Sequence, residues 1–62
     1  MPTVAELVRL LTEAGFQLRE HRKRHDLYED ATGRRIMIPR HWKQEMGTGL
    51  FHKILRDAGL KP

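Results

Sequence analysis

The hydrophobic period of this chain changes twice, and that leaves few folds open to it. Near the N-terminus, Val4, Leu7, Val8, Leu11 and Ala14 recur at helical spacing, with Arg9, Thr12 and Glu13 on the other side. Thr3 followed three residues later by Glu6 makes a capping box, and Gly15 stands where a left-handed C-cap residue is wanted. These signals predict a helix over roughly 4–14. From Phe16 the period drops to two. Phe16, Leu18 and Glu20 alternate with Gln17, Arg19 and His21, which predicts a strand with one buried face. Arg22-Lys23-Arg24 interrupts as a tight basic loop, and His25–Glu29 reads as a second short strand. Asp30-Ala31-Thr32-Gly33 is a turn, with Asp to start it and Gly to take positive φ. A third strand runs from Arg34 to Pro39, with Ile36 and Ile38 pointing one way and Arg35 and Met37 the other. Pro39 ends it because it has no N–H for a ladder. Residues 40–49 form a loop with Arg40, His41, Trp42, Gly47 and Gly49. Helical spacing then returns over roughly 49–58 with Thr48 as N-cap and Leu50, Phe51, Ile54, Leu55 and Ala58 as the apolar stripe. Gly59 ends this helix, and Leu60 is placed for the hydrophobic contact of a Schellman motif.

The order helix, three strands, helix implies an α+β fold. Short connections favour a three-stranded antiparallel meander with both helices on one face, covering its apolar side. The expected core is Leu7, Leu11, Phe16, Ile36, Ile38, Phe51, Ile54 and Leu55. At 62 residues this is one domain, 1–62, without repeats or linkers. A domain of this size buries only about 60% of its unfolded surface, so its stability margin is thin. The absence of cysteine excludes disulfides, thiolate metal ligands and thiol nucleophiles. No apolar run approaches a membrane span, and the N-terminal stretch lacks the pattern of a secretion signal, so the expected location is the cytoplasm. Twelve Lys and Arg against eight Asp and Glu give a net charge of +4, which suits a polyanionic partner, either nucleic acid or an acidic protein.

Several segments in this order resemble the HicA family of toxins. Gly33-Arg34-Arg35 leads into Ile36-Met37-Ile38-Pro39-Arg40-His41, similar to a family strand that ends in Val/Ile-Pro-x-His. Gly49 through Leu60, with Ile54-Leu55-Arg56-Asp57-Ala58-Gly59-Leu60, resembles the family's second helix and its Ile-Leu-x-x-Ala-Gly-Leu ending. The first helix with Gly15-Phe16 after it also fits, so the resemblance covers nearly all of the chain. The order of elements is also similar to that of double-stranded-RNA-binding domains. The family resemblance implies a ribonuclease toxin that cleaves mRNA and arrests translation, and a HicB-like antitoxin bound over the active face. In the family a Gly-Ser-His segment opens the second strand and its His is catalytic. The matching segment here is Lys23-Arg24-His25: the histidine is kept and the glycine and serine are replaced by two cations. The family's Gly-Thr at the start of the last helix is Gly49-Leu50 here.

Metal-independent RNA cleavage uses the ribose 2′-OH as an internal nucleophile. It needs a base for that proton, cations for the phosphate and an acid for the leaving oxygen. Histidine titrates near working pH, and Arg and Lys suit phosphate. His25 directly after Arg22, Lys23 and Arg24 sets a proton-transfer group beside three phosphate binders. Arg34, Arg35 and Arg40 join them as candidate RNA contacts, Arg34 and Arg35 being equally readable as turn charges. Lys23, Tyr28 and His41 are candidates for a second acid or base, and Trp42 for base stacking, partner anchoring or packing at the domain edge. No cofactor is expected. No metal site is expected either: His21 and His25 are four apart, a ligand spacing only on a helix. The competing reading is a non-catalytic RNA-binding module with the same order of elements, in which the basic loop crosses an RNA groove.

Overall fold

A computed structural model describes residues 2–40 and 45–60. Helix α1 spans Val4–Glu13, strands β1, β2 and β3 span Gln17–His21, His25–Glu29 and Arg35–Pro39, and helix α2 spans Thr48–Asp57. The strands form one antiparallel sheet in the order β1-β2-β3. Both helices pack on the face that carries Tyr28, Ile36 and Ile38, so the α-β-β-β-α meander expected from the sequence is the fold observed. No helix is long and apolar enough to cross a membrane among the described residues.

Local chemistry accounts for the ends of the elements. Thr3 Oγ1 accepts from the Glu6 amide at 3.1 Å, satisfying one of the free N–H groups at the start of α1. Both helices close with the same Schellman pattern. In α1, Phe16 N donates to Leu11 O and Gly15 N to Thr12 O; in α2, Leu60 N donates to Leu55 O and Gly59 N to Arg56 O. Gly15 and Gly59 hold φ of 99° and 76°, the left-handed region that a Cβ disfavours. The β2–β3 turn is held by Asp30, whose Oδ1 accepts from Thr32 N, Thr32 Oγ1 and Arg34 N. Those bonds, the Thr32 hydroxyl first among them, hold the Asp30 carboxyl below its ordinary pKa.

All eight residues expected in the core are buried, joined by Val4, Tyr28, Met46 and Ala58. Met46 comes from the segment read as loop. Its amide donates to Pro2 O at 2.8 Å, and Glu45 bridges to Thr3, so the lead-in to α2 is tied to the N-terminus. Two expectations are corrected. Helix α2 begins one residue earlier, with Gly47 rather than Thr48 as N-cap and no side-chain cap bond, because Gly47 O already accepts from Phe51 N. Strand β1 has no buried residue. Leu18 pairs with Tyr28 and so shares its face, yet it is 49% exposed: Phe16 fills the core just before the strand, and β1 lies at a sheet edge beyond the helices' cover.

Candidate functional site

His25 is the first residue of β2 and lies on the sheet face opposite the core, because strand residues alternate and its neighbour Asp26 points inward. Its imidazole is exposed, and among the described residues no side chain hydrogen-bonds it. The ring opens onto an 790 Å³ groove lined by Lys23, Arg24, His25, Pro39 and Arg40. The groove exists because the β1–β2 turn is tight, with Arg22 N donating to His25 O at 2.8 Å. Lys23 and Arg24 form the tip, beside the end of β3.

The six cations singled out in the sequence do not share one fate. Arg22 pairs with Glu20 at 2.9 Å on an exposed surface, and that bond holds the Glu20 carboxyl below its usual pKa. Arg34 lies against Gly59 at the C-terminal end of α2, where a cation meets the negative end of the helix dipole. It lines neither groove that contains His25. Arg35 pairs with Glu29 at 3.3 Å and lines a second groove that His25 also borders. Arg40 is turned to the backbone: its terminal nitrogen donates to Arg22 O and Lys23 O, both at 2.9 Å, so it clasps the hairpin turn from the end of β3. Lys23 and Arg24 remain. Among the described residues neither has an acidic partner, and both line the His25 groove. These are the two positions at which the sequence departs from the family's Gly-Ser.

A second histidine, weighed in the sequence only as a metal ligand beside His25, has another role here. His21 Nδ1 stands 2.7 Å from Oδ1 of Asp26, the buried acidic residue of the core face. Arg40 Nε approaches the same oxygen at 3.9 Å. His21 and Asp26 are direct cross-strand partners, so the pair follows from the register of the hairpin. Their signal in sequence was their symmetric placement about the basic turn. A buried carboxylate needs such partners. Here they are an imidazole and the guanidinium that clasps the turn, so one network runs from Asp26 through Arg40 to the loop beside His25.

Tyr28, a candidate for the second acid or base, is instead a core residue, 5% exposed and on the face away from His25. Burial pushes its phenol above the ordinary pKa, with the Asp26 carboxylate adding to the effect. It does not open onto the His25 groove. Lys23 does. His41 and Trp42 lie outside the described residues.

A family model described as the HicA toxin of bacterial toxin–antitoxin systems matches residues 4–60. Comparison with curated proteins found no match.

Proposed function

Because the chain belongs to the HicA family of toxins, we propose that it is a metal-independent endoribonuclease that cleaves mRNA, with His25 as its proton-transfer residue. Family membership makes it the toxin of a toxin–antitoxin pair, with a cognate antitoxin as partner. The observation that carries the finer reading is the exposed His25 imidazole in one groove with Lys23 and Arg24, two cations without an acidic partner among the described residues. A phosphodiester seated there meets two charges that give up no existing ion pair to bind it.

In this mechanism the 2′-oxygen attacks the adjacent phosphorus as a base removes its proton. The bond from phosphorus to the 5′-oxygen breaks, and that oxygen takes up a proton. The products are a 2′,3′-cyclic phosphate and a 5′-hydroxyl. His25 takes the first proton; it delivers the second as imidazolium, or Lys23 does so from the same groove. Lys23 and Arg24 offset the charge that grows on the phosphate oxygens. Arg40 acts through the turn it clasps, holding Lys23 at the groove. RNA is selected over DNA because DNA lacks the nucleophile. The antitoxin, a HicB-like protein, silences the site by covering His25.

The test is cleavage of a defined RNA by wild type and His25→Ala with EDTA present. Wild type is expected to cut and leave cyclic phosphate ends, and His25→Ala to be slower by about 10²–10⁴-fold. Equal cleavage by both, or 3′-hydroxyl ends that require Mg²⁺, would remove the proposal. The unpaired Lys23 and Arg24 also suit a module that grips RNA without cutting it. RNA bound by wild type but left intact assigns that reading instead.

A further inference from the structure

The sheet has two edges, and they are built differently. Strand β1 carries a bulge between Leu18 and Glu20, and its exposed side chains include Arg19 and Glu20. A bulge and charges are the usual means of discouraging a further strand. Strand β3 pairs with β2 in unbroken register from His25↔Pro39 to Glu29↔Arg35. Arg40 N donates to Arg24 O and Asp30 N to Arg34 O, which fixes the parity of the ladder. The even-numbered residues 34–40 bond to β2, and Arg35 and Met37 turn their N–H and C=O away from it. No strand among the described residues takes up those groups.

Beside this edge runs a groove of about 650 Å³ between β3 and α2, lined by Arg35, Met37, Leu50, Lys53 and Asp57, with His25 at its end. Its floor is apolar where Met37 is 39% and Leu50 47% exposed. Arg35 and Lys53 line it, each facing a carboxylate of the chain, Glu29 at 3.3 Å and Asp57 at 2.9 Å, in exposed ion pairs that an incoming acid replaces at little cost, and the groove continues past His25 to Lys23 and Arg24, which carry its unbalanced positive charge.

We propose that the cognate antitoxin docks here by adding an extended segment to the free edge of β3. The segment is alternately apolar and acidic: apolar side chains lie over Met37 and Leu50, and carboxylates take Arg35 and Lys53 from their exposed pairs with Glu29 and Asp57. Main-chain bonds to Arg35 and Met37 supply affinity and the alternating side chains supply specificity. An RNA strand fits this edge poorly. A phosphodiester accepts hydrogen bonds but has no donor for the outward carbonyls, and two exposed apolar side chains give it nothing to bond. Because His25 and Pro39 line the groove where it meets the turn, a segment seated along β3 passes over the imidazole, which gives the antitoxin a direct route to silencing the toxin. The inference rests on the family's implied antitoxin, and not on the chemistry assigned to His25.

The experiment is amide hydrogen exchange on the full chain, alone and with its cognate antitoxin. In the free chain the Arg35 and Met37 amides exchange quickly while those of Ile36 and Ile38 are held by the ladder. In the complex, exchange at Arg35 and Met37 slows at least tenfold. Met37→Pro removes an outward N–H without taking a donor from the β2 ladder, and it weakens the complex at least tenfold. Arg35→Glu combined with Lys53→Glu, both exposed positions, does the same and covers the case in which the proline variant fails to fold. Unchanged exchange at Arg35 and Met37 in the complex overturns the proposal. So does full affinity in the charge-reversed variant, or protection of these amides by an RNA oligonucleotide and not by the antitoxin. None of these readouts requires cleavage, so a failure of the His25 mechanism leaves them interpretable.

Discussion

At the scale of single residues, Arg40 separates positioning from binding. A guanidinium free to grip phosphate would be dispensable for folding. One that donates to Arg22 O and Lys23 O and borders the buried Asp26 is not. Arg40→Ala is therefore expected to lower unfolding stability by roughly 1.5–3 kcal/mol, the range for hydrogen bonds to a charged group. Cleavage should fall with it because the Lys23–Arg24 tip loosens. Thermal unfolding checks the first effect: a variant with weakened RNA binding and an unchanged melting temperature would show Arg40 to be a simple phosphate contact. Tyr28 makes a pH prediction. Burial raises its pKa, so the folded state favours the neutral phenol. Its stabilisation is complete below the ordinary tyrosine value, about 10, and is lost as pH rises beyond that. Tyr28→Phe keeps the ring and should flatten the alkaline limb of a stability–pH profile measured by circular dichroism. An alkaline limb that survives unchanged would assign it to other groups.

At the scale of elements, the two helices start on different terms. Helix α1 has a side-chain cap from Thr3, and α2 has Gly47 with none. Thr3→Ala should destabilise the fold by about 1 kcal/mol, which in a domain this small lowers the melting temperature by about 4–8 °C. The same helix end also carries the Thr3–Glu45 bridge and the Pro2 carbonyl that receives Met46 N, so fraying there loosens the lead-in to α2 as well. A shift under 1 °C in a thermal melt would show that backbone contacts alone hold the helix start. Among the strands, β2 joins the site to the core. Its odd residue His25 faces the groove while Asp26 and Tyr28 face inward.

At the scale of the whole molecule, a net charge of +4 is spread over many ion pairs, and only part of it is available to RNA. Arg9, Arg19, Arg22, Arg35 and Lys53 all face carboxylates on the molecule. If Lys23 and Arg24 each neutralise a phosphate, Lys23→Ser with Arg24→Ser should reduce the slope of log affinity against log salt by about 1.4, taking ~0.7 per contact for single strands. Titration of a non-cleavable 2′-deoxy-substituted RNA over a salt series measures it. An unchanged slope would place the RNA elsewhere on the surface.

Periodicity, caps and turn residues were enough for the order of elements, the sheet and most of the core, because each is a local signal: Leu7 and Leu11 on one helical face, Ile36 and Ile38 on one strand face, Gly15 and Gly59 at two helix ends. The position of His25 at the start of a strand was legible for the same reason. The exposure of Leu18, the burial of Met46, the clasp from Arg40 and the pairing of His21 with Asp26 were not. Each depends on what lies across the sheet or at the far end of the chain. Sequence alone determined which residues carry charge and which faces are apolar. Tertiary structure decided which charges are already spent on neighbours, leaving Lys23 and Arg24 without an acidic partner among the described residues, since pairing is a matter of distances between segments that local pattern does not encode.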